Sequence, residues 1–184
     1  MGRRSFGRII GVGIDTTSIS RMHRLLTKHG EPFVQRIFHP SEIDQCPLNF
    51  SEYFATTALQ DFSKQQQRIA QYYASRWAAK EATIKALGFS GIGSKQIYVY
   101  KQKPSIVESA SNKVENIVLN NSITKLYPPL LKLEGREISK IIGVILEEKQ
   151  ANGYAAHLSL SHDGDMAIAN VVIEVIYNSE EENK

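Results

Sequence analysis

Asp15 closes the apolar run Ile9-Ile10-Gly11-Val12-Gly13-Ile14, and a carboxylate where a strand runs out can face a cleft as a metal ligand. A turn or helix N-cap aspartate explains the same residue equally simply. Farther along, Lys80, Glu81 and Lys85 lie in an alanine-rich stretch, with Glu81 and Lys85 at i, i+4 on one helix face and Arg76 one turn before Lys80. Such a set can hold a cation and an anion side by side, although a surface Glu→Lys pair has the same spacing. Two carboxylates among cations suit Mg²⁺ with a phosphate-bearing substrate, because Mg²⁺ takes few protein oxygens and fills its shell with phosphate oxygens. Zinc is disfavoured, since Cys46 is solitary and no histidine pair has ligand spacing.

Two further groups belong with these. Gly88, Gly91 and Gly93 form a glycine-rich loop that lets backbone amides approach a ligand. It leaves a helix C-terminus instead of entering an N-terminus, so it is not a dinucleotide or P-loop fingerprint, and a plain helix stop accounts for it too. In residues 153–162, His157, Ser159 and Ser161 share one face of an alternating strand while Tyr154, Ala156, Leu158 and Leu160 share the other. Three polar residues in register read as a ligand-facing surface; a lone strand histidine more simply makes structural hydrogen bonds.

The elements that position these residues follow from periodicity. Residues 9–14 read as a strand, with Thr16, Thr17 or Ser18 as cap of the next helix. In residues 19–29, Ile19, Met22, Leu25 and Leu26 fall at helical spacing beside a basic stripe of Arg21, Arg24 and Lys28, and Gly30 and Pro32 are expected to stop that helix. A short helix begins at Pro40 with Ser41 as its cap. The clearest helix covers 65–87, free of Pro and Gly, with Gly88 as terminator. Residues 96–100, 138–147, 153–162 and 166–177 read as strands, the last two joined by a hairpin turn at 162–165. The class is α+β, an antiparallel sheet packed with a long helix.

The chain has 184 residues with 42% hydrophobic residues, 16 aromatic residues and a net charge of +3, which excludes a disordered polymer and suits one domain. One cysteine excludes a disulfide-stapled scaffold. The longest apolar run, 141–146, is strand-sized and too short to span a membrane. The first ten residues carry three arginines without an apolar core, so a secretory signal is not expected. Residues 1–100 hold 13 basic and 7 acidic side chains, and residues 101–184 hold 9 and 12. A basic N-terminal half points to an acidic partner or a phosphate-bearing ligand, or else to a solvated surface. Aromatics interleaved with basic residues, as in single-strand binders, are not evident, so nucleic acid is not the expected partner.

The segments GVGIDTTSI, RWAAKEATIKALGFSGIG and HLSLSHDGDMAIANVVIE, in this order, resemble the holo-[acyl-carrier-protein] synthases, a family of 4′-phosphopantetheinyl transferases. The resemblance implies Mg²⁺-dependent transfer of 4′-phosphopantetheine from coenzyme A to a serine of an acyl carrier protein, with release of adenosine 3′,5′-bisphosphate. By position, Asp15 and Glu81 match the metal ligands, and Glu81 is the expected general base. Lys85 and Gly88 match contacts to coenzyme A phosphates; Arg76, Lys80, Gly91 and Ile92 lie in the same motif. His157, with Ser159 and Ser161, matches the nucleotide-binding strand. The stripe Arg21, Arg24 and Lys28 would dock the acidic carrier. A homotrimer with its site between subunits is implied, in cytoplasm or mitochondrion. The transferase domain is expected over 1–178, with insertion-like residues 46–68 and 101–135 and an acidic tail at 179–184. The rivals are a non-enzymatic basic module binding an acidic protein or nucleic acid, and a metal-dependent nucleotide hydrolase using the same carboxylates.

Overall fold

The computed structural model describes residues 5–47, 64–101 and 129–178. The elements run β1 (Ser5–Ser18), α1 (Ile19–Ile37), α2 (Pro40–Asp44), α3 (Lys64–Leu87), a 3₁₀ turn (Ser94–Gln96), β2 (Ile97–Tyr100), β3 (Leu130–Leu133), α4 (Arg136–Lys149), β4 (Gly153–Asp163) and β5 (Met166–Asn178). One antiparallel sheet has the order β1-β5-β4, and β2 pairs antiparallel with β3 in a second. The class is α+β.

Central β5 is long enough to hold both neighbours. Asp15 stands opposite Ala169, and Ser161 opposite Ile168 on the other edge. Ala169, Val171, Ile173 and Val175 point inward at every second position, and α3 covers them with Ala78, Ala79, Ala82 and Ala86. A helix face built from alanines allows close approach of helix to sheet. Beyond the sheet, α3 packs on α1 through Ala70, Tyr73 and Ala74 against Met22, Leu26 and Phe38. Burial of these apolar side chains is the main stabilising term, each worth about 1.5–3 kcal/mol for the larger ones.

Four expectations change. Residues 138–147 are not a strand but the middle of α4, with Ile138, Ile142 and Ile145 buried. Their β-branched character costs a few tenths of a kcal/mol per residue in a helix, far less than the burial of that face returns. Gln96 fixes the start of α4 from outside, accepting from Ile138 N at 3.0 Å. Gly30 (φ 62) kinks α1 instead of ending it, and Pro32 lies in the second helical piece. The cap of α2 is His39, which accepts from Ser41 N while Glu42 Oε2 accepts from His39 N, so Ser41 is not the cap. Finally β1 runs past Asp15 to Ser18, which caps α1 by accepting from Arg21 N at 3.0 Å. Of the insertion-like segments, residues 48–63 and 102–128 lie outside the described residues, as does the tail. No described helix is long and apolar enough to cross a membrane.

Candidate active site

The contact of β1 with α3 is set by two glycines. A Cβ on Gly11 would lie 1.9 Å from Ala86 O, and one on Gly13 would lie 1.9 Å from Ala82 O. Only glycine lets the strand backbone touch the helix backbone here. The strand therefore runs antiparallel to the helix. Two residues beyond Gly13, Asp15 comes opposite the turn that leads to Glu81. Lys85 reaches back across the seam: its Nζ donates to Asp15 Oδ1 at 2.8 Å and to Ile14 O at 3.1 Å. Thr17 also donates to Asp15 Oδ2, at 3.5 Å. The Lys85 side chain is 55% exposed and that of Asp15 17%, so this corner is open to a ligand.

Lys80 does different work. Its ammonium, 2% exposed, donates to Glu42 Oε2 at 2.7 Å, to Ser94 O at 2.9 Å and to Ile97 O. All three N–H donors are taken inside the fold, where Lys80 anchors α3 to α2 and β2. Burial pulls its pKa down, while Glu42 opposes that.

Arg76 faces a cavity of about 680 Å³ shared with Arg68, Tyr72, Lys101, Ser161 and His162. It is 4% exposed and lies 3.5 Å above the Tyr72 ring. Nη1 donates to Tyr72 O and Ser75 Oγ, whereas Nε and Nη2 are buried without a partner among the described residues. An unpaired buried guanidinium is costly, and an anion in the cavity would satisfy it. A second space of about 650 Å³ adjoins, sharing Arg68, Gln71 and His162 and adding Lys64. The two together form a basic trough along the N-terminal half of α3.

Residues 11–109 match the family model of the 4′-phosphopantetheinyl transferase superfamily. The chain belongs to that superfamily. Within it the chain groups with the holo-[acyl-carrier-protein] synthases, which makes it an enzyme that transfers phosphopantetheine. It is 32% identical over 166 residues to the holo-[acyl-carrier-protein] synthase of Trichlorobacter lovleyi, spanning 90% of this chain and 98% of that protein. Among solved structures it shares its fold with the holo-ACP synthase of Plasmodium yoelii (TM-score 0.56, 19% identity, 95% of this chain and 99% of that one). It also shares it with the Helicobacter pylori holo-[acyl-carrier-protein] synthase, solved in complex with coenzyme A (TM-score 0.51, 24% identity, 88% and 98% covered).

In this synthase, Asp15 and Lys85 are joined directly and Glu81 stands on the same helix turn. Among the described residues, no group of three or more His, Cys, Asp or Glu side chains converges to hold a metal ion alone. A pair of carboxylates matches the donor set that Mg²⁺ uses when substrate phosphates complete its shell, so Asp15 and Glu81 fit the ion by their chemistry. Gly88 (φ 74) and Gly91 (φ 82) need glycine for their backbone angles, and Ile92 is buried in the core. Neither His157 nor Ser159 lines the cavity; His157 Nε2 sits 3.2 Å from Glu174 Oε2 on the outer face of the sheet. The histidine lining the cavity is His162, near the end of β4, which extends through Asp163. Arg68 and Lys101 were missed in the sequence; their basic charge was the only signal they carried. On α1, Arg21, Arg24 and Lys28 are exposed while Met22 and Leu26 are buried, so the basic stripe faces outward. Partial burial, with Arg24 beside it, holds the His23 pKa below its ordinary value.

Proposed function

We propose that the chain transfers 4′-phosphopantetheine from coenzyme A to a serine hydroxyl of an acyl carrier protein, using Mg²⁺ and releasing adenosine 3′,5′-bisphosphate. The observation that carries this reading is the half-satisfied Arg76 guanidinium facing a basic cavity, with the Lys85–Asp15 pair farther along the same helix. A ligand with phosphates at two separated points suits that arrangement. In our reading Arg76, with His162 and Ser161, receives the bisphosphate end, and Lys85 and the Gly88–Gly91 loop receive the pyrophosphate.

Asp15 and Glu81 are the residues that would hold Mg²⁺, whose charge, when it is bound, neutralises the pyrophosphate. Lys85, already beside Asp15, adds a second positive charge there. The serine oxygen forms a bond to the β-phosphorus as the anhydride P–O bond breaks, and the electron pair leaves with adenosine 3′,5′-bisphosphate. Glu81 takes the serine proton, directly or through a water.

Arg21, Arg24 and Lys28 support docking of an acidic carrier on α1, where complementary charge mainly speeds encounter. Phe6, Ile9, Val12 and Ile14 leave an exposed apolar strip along β1, which supports assembly with further copies, as a homotrimer in our reading. Residues 1–178 act as the transferase unit. Its setting is intracellular, cytoplasmic or mitochondrial, where coenzyme A and unmodified carriers meet.

The test is to incubate the protein with coenzyme A, Mg²⁺ and apo carrier and weigh the carrier. A mass gain of one phosphopantetheine group supports the transferase. Nucleotide release without a change in the carrier makes it a hydrolase; salt-sensitive binding without turnover makes it a binding module.

A further inference from the structure

Asp165, at the tip of the β4–β5 hairpin, is bound to the start of α1 by four hydrogen bonds. Its Oδ2 accepts from Ser18 Oγ at 2.7 Å and Ser20 Oγ at 2.9 Å, its Oδ1 accepts from Ser20 N at 2.7 Å, and its backbone oxygen accepts from Ile19 N at 2.7 Å. The hairpin itself does not need this acid. The positive φ of the turn is met by Gly164 (φ 51), and Asp163 pairs with Met166 to close the ladder. The carboxylate is explained by α1: it satisfies orphan N-terminal donors and opposes the positive end of the helix dipole. These donors hold its carboxyl below the ordinary carboxylate range.

What the clamp joins gives it a function. Three residues before Asp165 is His162, and before that Ser161, both on the wall of the Arg76 cavity. Three residues before Ser18 is Asp15, paired with Lys85. The same helix start leads within two turns to Arg21 and Arg24. The two ends of the substrate site thus sit on different strands, β4 and β1, whose ends are fastened together at Asp165. We propose that Asp165 is a positioning residue that fixes the Ser161–His162 wall relative to β1 and α1, and so sets how tightly the cavity grips its nucleotide. This rests on the transferase reading of the cavity.

The experiment measures calorimetric affinity for adenosine 3′,5′-bisphosphate in a double-mutant cycle of Asp165→Ala and His162→Ala. The Asp165→Ala change is expected to weaken binding about tenfold in the parent protein, and less than about threefold once His162 is gone, because coupled residues are not additive. Asp165→Asn, which keeps one acceptor oxygen for Ser20 N and places an NH₂ where the Ser18 and Ser20 hydroxyls can accept, is expected to restore most of the affinity. Should Asp165→Ala not stay folded, Ser18→Ala with Ser20→Ala loosens the clamp from the other side and is expected to weaken binding in the same direction. Equal losses in both backgrounds, or no loss, overturn the positioning role. If the parent protein does not bind the nucleotide at all, the transferase reading itself falls.

Discussion

Lys80 Nζ and Glu42 Oε2 lie 2.7 Å apart in the interior, with 2% and 0% of their side chains exposed. Glu42 also accepts from His39 N at 3.0 Å and Val99 N at 3.1 Å, so the pair ties α2, α3 and β2 at one point. Lys80 immediately precedes Glu81, and the pair therefore fixes the turn of α3 that carries the proposed base.

Removing one partner strands the other charge. Lys80→Met is expected to lower stability by about 3–5 kcal/mol, whereas adding Glu42→Gln to it recovers part of that loss. Urea unfolding of the two variants checks this, and a double variant no more stable than Lys80→Met would contradict it.

The Lys85–Asp15 pair behaves differently because it is open to solvent. Lys85→Ala is expected to change stability by less than about 1 kcal/mol. It should still lower kcat/KM for coenzyme A by about two orders of magnitude, since the residue is placed at the pyrophosphate. Steady-state kinetics beside thermal melting separates the two effects.

Gly13→Ala places a methyl 1.9 Å from Ala82 O and 2.7 Å from Ala86 N, both backbone atoms that cannot rotate away. The strand must lift, at a cost of about 1–3 kcal/mol or more, carrying Asp15 with it. Activity and melting temperature should fall together. At Gly143, inside α4, a Cβ meets nothing within 4 Å, and Gly143→Ala should stabilise by about 0.5–1 kcal/mol without touching activity.

Reversing Arg21 and Arg24 to Glu is expected to raise KM for the carrier protein and leave KM for coenzyme A little changed. The parent protein's carrier KM should also rise with salt, by screening of the same charges. Equal changes in both constants would remove α1 as the docking surface.

Burial pushes the Tyr72 hydroxyl up to about 12, with Arg76 opposing. Its pKa in the fold is thus above that of the unfolded chain, so its contribution to stability is complete below pH 10 and is lost as pH rises toward 12. Tyr72 donates to Glu42 O, and Tyr72→Phe is expected to cost about 1 kcal/mol at neutral pH and to flatten the decline between pH 10 and 12. Urea midpoints across that range test it.

Much of this architecture can be read from local chemistry. The helix of α3 follows from alanine density without Gly or Pro, and β4 from strict alternation, because both signals are carried by neighbouring residues. The pairing of Asp15 with the Glu81–Lys85 face was suggested by residue types, and the two glycines that make it possible stand in the same strand. What failed locally was decided elsewhere in the chain. Residues 138–147 have the side chains of a strand, yet Gln96 fixes their first turn and the sheet takes up their isoleucines, so they coil. Lys80 and Arg76 looked alike as cations on one helix. Only packing separates them, since Glu42 comes from 38 residues away to neutralise Lys80 while Arg76 keeps Nε and Nη2 unpaired among the described residues. That His162 lines the cavity beside Arg76 while His157 faces outward depended on where β4 ends against α3. The sequence by itself determined the types of residue available for phosphate chemistry and the elements that bear them. The tertiary structure decided which cations remain free to use, because desolvation and charge pairing depend on neighbours that local periodicity does not register.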